Sequence, residues 1–97
     1  MTPTPSIVST GFEVFGKVQG VWFRKYCVEN GNKLRVVGWV RNTDRGTVEG
    51  IVQGEADQVE VFKQRLKTGS PKSRVDRCEY TSQATIAKLE YSNFEKR

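Results

Sequence analysis

Histidine does not occur in this chain of 97 residues. That removes the side chain most often used as a general acid or base near neutral pH, and the commonest neutral metal ligand. The two cysteines, Cys27 and Cys78, have neither CxxC spacing nor histidine beside them, so they assemble no zinc ligand set. They read as small, partly buried thiols in a reducing compartment, and a catalytic thiolate at Cys27 lacks a histidine base. No apolar run approaches the roughly 20 residues of a bilayer span, and the mean hydropathy is −0.58. The opening MTPTPSIVST has no basic region followed by an apolar stretch, so it is not read as a secretory signal. The expectation is therefore a cytoplasmic chain without membrane, metal or cofactor.

What is present is a moderate basic surplus, with 16 Lys and Arg against 11 Asp and Glu, a net charge of +5. Such a balance suits acidic partners, whether nucleic acid or phosphorylated metabolites. The charge is dispersed and builds no basic block of the kind that marks a nucleic-acid tail. The length fits one domain. Residues 1–8 read as a Thr/Pro-rich lead-in and residues 9–97 as the domain.

Apolar spacing divides the domain into elements. In TGFEVFGKV, Phe12 and Val14 alternate with Glu13 and Phe15, which predicts a strand ending near Gly16. Phe23, Tyr26, Cys27 and Leu34 fit one helical face, interrupted by Gly31. RVVGWVRN and TVEGIVQG predict two strands joined by the turn residues of NTDRG. EADQVEVFKQRLKTG predicts a second helix with acids early, bases late and Gly69 at its end. SRVDRCEYTS and AKLEYSNFEK predict two further strands joined at Ser82-Gln83. Trp39, Val37, Val40, Tyr91 and Phe94 are assigned to core packing. The resulting plan is α+β, a ferredoxin-like βαββαβ sandwich. Its sheet is mostly antiparallel, both helices lie on one face, and a short extra strand ends the chain.

One stretch breaks local rules. GKVQGVWFRKY leads into the first helix, yet no Ser, Thr, Asp or Asn precedes Phe23, and Arg24 and Lys25 occupy the first turn. A helix N-terminus exposes four free N–H groups and about half a positive charge, so the arrangement calls for an anion. Glycines on both sides of Lys17-Val18-Gln19 allow a concavity of backbone donors, and Arg24 offers a planar fork. A plain tight turn beside a solvated Arg24 fits the spacing equally well. The segment matches neither the P-loop nor the three-glycine dinucleotide pattern.

The same residues resemble a known family. GKVQGVWFRKY resembles the G-x-V-Q-G-V-x-F-R signature of acylphosphatases, and GWVRNTDRGTVEGIVQG resembles that family's G-W-V-x-N-x-x-x-G-x-V. SPKSRVD and LEYSNF fit its later segments, so the resemblance spans about residues 9 to 95. It implies hydrolysis of small acyl phosphates to carboxylate and inorganic phosphate without a metal. Inorganic phosphate would be product and inhibitor, and the protein a monomer. By position, Arg24 and the backbone of Gly16, Lys17, Val18, Gln19, Gly20 and Val21 would hold the phosphoryl group, and Asn42 would orient the attacking water. Taken by itself, Asn42 also fits a plain turn residue. Trp22 falls at a variable position of the signature and receives no role. Two other readings stand beside this one. An RNA-binding module shares the βαββαβ plan, but TVEGIVQG holds no aromatic residue for stacking bases. An anion-binding regulatory domain would keep the cradle without turnover.

Overall fold

The computed structural model describes residues 6–97. The chain runs β1 (Ile7–Lys17), α1 (Phe23–Lys33), β2 (Val37–Asn42), β3 (Val48–Glu55), α2 (Ala56–Thr68), β4 (Arg74–Ile86) and β5 (Phe94–Lys96). The strands form one sheet in the order β4-β1-β3-β2-β5. β5 pairs parallel to β2 and every other pairing is antiparallel. This is the expected ferredoxin-like α+β plan with its added C-terminal strand. β1 begins at Ile7, within the segment read as a lead-in, and residues 1–5 of that segment lie outside the described residues.

Period-two alternation sends Phe12, Val14, Val40, Val48 and Val52 to the face covered by the helices. α2 adds Val59, Phe62 and Leu66, with the Phe62 ring 5.9 Å from Phe12 and 5.2 Å from Phe94. Gly31 explains its own place inside α1: a Cβ there would lie 2.7 Å from Phe94 Cγ, so only glycine lets α1 settle onto β5. Both helices thereby share one core.

Three expectations need correction. β4 runs on through Ser82-Gln83, where its ladder with β1 slips register between Gly11↔Thr81 and Ser9↔Ala84 and then resumes to Ile7↔Ile86. Polar residues persist along β4 because it is an edge strand whose Thr81, Gln83 and Thr85 are exposed. The second predicted strand contracts to Phe94–Lys96, and the residues before it cross the sheet's other face. There Gln53 Nε2 donates to Glu90 Oε1 at 2.6 Å, and the Glu90 N–H donates to Gln53 Oε1 at 2.8 Å. Trp39 and Tyr91 are half-buried on that same face and not in the core; Val37 is buried but shares that face opposite Gln53, while Val40 and Phe94 join the core. The Trp39 indole N–H donates to the Tyr91 hydroxyl at 3.3 Å, with Arg41 and Arg97 each 5.2 Å from the Trp39 ring.

α1 ends in a Schellman motif. The Val36 N–H donates to the Gly31 carbonyl at 3.0 Å and the Arg35 N–H to the Asn32 carbonyl at 3.3 Å. The motif needs a left-handed residue, and Arg35 supplies it at φ 57. A side chain costs about 1–2 kcal/mol in that conformation, whereas glycine forfeits about 0.5–1 kcal/mol of chain entropy. Arg35→Gly is therefore expected to raise stability by about 0.5–1 kcal/mol, read as a higher urea midpoint with an unchanged slope. A lower midpoint would show that Arg35 makes contacts worth more than its strain.

Candidate active site

The loop of residues 18–22 connects β1 to α1 and is held from three directions. Upstream, Gly16 and Lys17 belong to the β1–β4 ladder, paired with Val75 and Arg74. Gly16 has φ 132, and a Cβ there would strike the Arg74 carbonyl oxygen. In the middle, Gln19 Nε2 donates to the Thr43 carbonyl at 2.7 Å and the Thr47 carbonyl at 2.9 Å, tying the loop to the β2–β3 turn. Downstream, Ser70 Oγ donates to the Val21 carbonyl at 3.0 Å, in a fully buried bond. Val18 and Val21 anchor the loop in the core.

These ties use the loop's carbonyls and one side chain. Among the described residues, no backbone N–H of residues 19 to 22 donates to a backbone carbonyl or to a side chain. Trp22 is the N-cap of α1 and provides no side-chain cap, and no acidic residue stands in the first turn. Gly20 at φ 73 and Trp22 at φ 63 are both left-handed, the conformation in which successive N–H groups converge on an anion. α2 follows the expected dipole pattern, with Asp57 early and Arg65 and Lys67 late; Glu55 makes no side-chain cap, and the Ala56 N–H is taken by the Ser6 carbonyl.

The loop borders a cavity of about 210 Å³ lined by Val18, Gly20, Trp22, Phe23, Arg24, Lys25, Asn42 and Lys96. Arg24 and Asn42, far apart in sequence, are brought to the same hollow. Gly16, Lys17, Gln19 and Val21 are not in its wall; their part is to anchor the loop. Arg24 has no Asp or Glu carboxylate within salt-bridge distance among the described residues, and its Nη1 lies 3.4 Å from the main-chain oxygen of Arg97. Asn42 closes β2, opposite Val48. Its Oδ1 is buried without a hydrogen-bond partner among the described residues. The turn that Asn42 could have started is made by Thr43, whose N–H donates to the Thr47 carbonyl at 2.9 Å.

Sequence reasoning missed Lys96, Trp22, Phe23 and Lys25 as wall residues. Lys96 arrives only through the parallel register Val40↔Lys96, which no local pattern announces. Cys27 does not reach the cavity wall, and burial pushes its thiol far above the ordinary range. Both cysteines are free.

The fold is that of a small ferredoxin-like α+β domain with a cation-lined cavity, and the comparisons carry the assignment to a family. The acylphosphatase family profile matches residues 10–96. The chain is 51% identical to Acylphosphatase-1 of Mus musculus, over 98% of this chain and 97% of that protein. It is 53% identical to Acylphosphatase-2 of Homo sapiens, over 97% and 96%. The solved structure of an acylphosphatase from Coxiella burnetii superposes with a TM-score of 0.84 at 32% identity, over 95% of this chain and 94% of that one. The chain belongs to the acylphosphatase family. Its activity is the hydrolysis of acyl phosphates.

Behind Asn42 the hairpin carries a relay of hydroxyls. Thr43 Oγ1 and Thr47 Oγ1 are 2.7 Å apart, and Thr47 Oγ1 donates to Glu13 Oε2, which also receives Arg45. The Thr47 hydrogen bond first, then Arg45, hold the Glu13 carboxyl below its ordinary value of 4.5. A depressed carboxylate pKa stabilises the fold fully above the unfolded value, and that stability is lost as pH falls through the folded value. Thr47→Val is expected to lower stability at pH 7 by about 1 kcal/mol. The loss should shrink on acidification below 4.5, as wild type surrenders the same interaction. Urea unfolding across pH reads this out, and a deficit that stays constant into acid would remove Glu13 from the account.

Proposed function

We propose that the cavity hydrolyses the carboxyl–phosphate bond without a metal, with the phosphoryl group held by the amides of residues 18 to 22 and Arg24. The attacking water is oriented by Asn42. The observation that carries this is that Asn42, whose Oδ1 is buried without a partner, lines the same cavity as Arg24. An acceptor without a donor is costly, and a turn of the Asn42 amide toward the cavity gives that oxygen a water hydrogen. The water's oxygen lone pair is then free to face phosphorus. Asn42 is a neutral amide and orients the water without acting as a base.

The chemistry does not need histidine. The leaving group is a carboxylate whose acid has a pKa near about 4, so it departs unprotonated at neutral pH. Phosphoryl transfer asks mainly for positioning and charge stabilisation. Free amides, the start of α1 and Arg24 supply both, and Phe23 and Val18 beneath them keep the surroundings apolar. The wall brings Arg24, Lys25 and Lys96 together and contains no carboxylate, thiol or imidazole, a donor set made for an anion rather than a cation. The proton of the water passes to a phosphate oxygen of the substrate. Gly16 and Lys17 serve this reading as the fixed end of the loop. Free thiols at Cys27 and Cys78 suit a cytoplasmic setting.

The RNA-binding alternative is disfavoured by the open face of the sheet. Register places Glu79, Glu13 and Glu49 in one row across β4, β1 and β3, and β3 carries no aromatic residue on which a base could stack.

The test is hydrolysis of benzoyl phosphate beside an alkyl phosphate in the presence of a chelator. Benzoyl phosphate should turn over and the alkyl ester should not, its alkoxide being too basic to leave unaided. Arg24→Gln is expected to lose about 10²–10³ in kcat/KM together with inhibition by inorganic phosphate. Asn42→Ala should lose a similar factor in kcat while phosphate inhibits it as before. Wild-type turnover in Asn42→Ala would take the water away from that residue. A chelator-sensitive wild type would overturn the metal-free reading.

A further inference from the structure

Trp22 is the most exposed large apolar side chain among the described residues, at 71%. Its backbone is left-handed at φ 63 and ψ 20, a conformation uncommon for bulky residues and concentrated at functional sites. An indole left in water contributes little to folding, and this one is held there on a strained backbone. It forms part of the wall of the Arg24–Asn42 cavity. It also borders a second hollow of about 320 Å³, shared with Lys25, Tyr26, Glu29, Ser70 and Pro71. The indole is the ridge between the two, with Lys25 Nζ 5.7 Å from its ring centroid.

We propose that Trp22 selects the acyl group, favouring flat aromatic acyl phosphates over small aliphatic ones. This rests on the reading of the cavity as the acyl-phosphate site. Burial orders the wall from floor to rim: Val18, Phe23 and the Asn42 oxygen lie inside, while Trp22, Lys25 and Lys96 are exposed. In-line displacement places water and leaving group on opposite sides of phosphorus. With the water at the Asn42 oxygen on the floor, the carboxylate leaves through the rim. There it passes between an indole face and two ammonium groups. An aromatic acyl group stacks on the indole, its departing carboxylate faces Lys25 and Lys96, and its far edge reaches the second hollow. An acetyl group is too short to cover the indole.

The experiment compares kcat/KM for benzoyl phosphate and acetyl phosphate in wild type, Trp22→Asn and Trp22→Phe, with inorganic phosphate as inhibitor. Asparagine tolerates the left-handed backbone, so Trp22→Asn removes the ring and keeps the loop. The benzoyl-to-acetyl ratio is expected to fall about five- to tenfold in Trp22→Asn and to be kept by Trp22→Phe, with phosphate inhibition unchanged in both. An unchanged ratio in Trp22→Asn overturns the inference while the site reading stands. So does an equal loss on both substrates with weakened phosphate inhibition, which would make the indole a loop support. A wild type that hydrolyses neither compound, or is not inhibited by phosphate, overturns the site reading itself and the inference with it.

Discussion

The structure turns on a short run of backbone amides that the fold declines to satisfy. Leaving a donor unpaired away from water costs about 1–3 kcal/mol, so a loop with several of them ordinarily rearranges to find acceptors. Here rearrangement is blocked. The strand end at Gly16 and Lys17 is fixed by β4, Gln19 is bound to two hairpin carbonyls, and the Val21 carbonyl is taken by Ser70. Each tie spends an acceptor or a side chain and leaves the N–H groups alone. The start of α1 adds its own free donors on the same side. What results is a set of free main-chain donors held in place by their surroundings, the feature on which the proposed anion site rests.

Charge is sorted by the sheet. Carboxylates Glu13, Glu49 and Glu79 lie on the face away from the helices and are met there by Arg45, Arg41 and Arg77. Arg24, Lys25 and Lys96 gather at the cavity with no acid among the residues lining it. The modest net charge thus understates the field at the site, because the neutralising pairs are spent elsewhere. The two faces still communicate mechanically. The hydroxyl relay from Glu13 through Thr47 to Thr43 ends one residue beyond Asn42, and the carbonyls of both threonines hold Gln19. One hairpin therefore sets Asn42 and the loop of residues 18–22 relative to each other.

The fold was legible because its signals are local. Alternation at Phe12 and Val14 and at Val48 and Val52 specified strands, and the spacing of Val59, Phe62 and Leu66 specified α2. The uncapped start of α1 was legible as a broken rule, and the family motifs marked Arg24 and Asn42. What escaped depends on long-range register or on which way one side chain turns. Lys96 joins the cavity through a three-residue strand whose partner is fixed only by tertiary structure. Gln19 reads as a loop residue beside a phosphate, yet its amide turns away to the hairpin. Trp39 carries a core-like composition signal but falls on the open face, where Tyr91 and two arginines half-cover it. The continuous β4 was hidden because an edge strand tolerates polar residues that otherwise read as a turn.

The absence of histidine finally becomes a statement about substrates. A site without a proton donor of suitable pKa can expel only leaving groups that are stable as anions, so its selectivity for acyl phosphates begins in bond chemistry before any contact is made. That frees the protein side from titrating near neutrality. The cavity's charged wall residues are lysines and an arginine, with no imidazole or carboxylate among them. Asn42 does not titrate at all. The nearest carboxylate of the relay, Glu13, is held ionised by Thr47 and Arg45. The substrate's own phosphate then stands as the titrating group closest to the reaction, its second ionisation drawn below that of an alkyl phosphate by the electron-withdrawing acyl group.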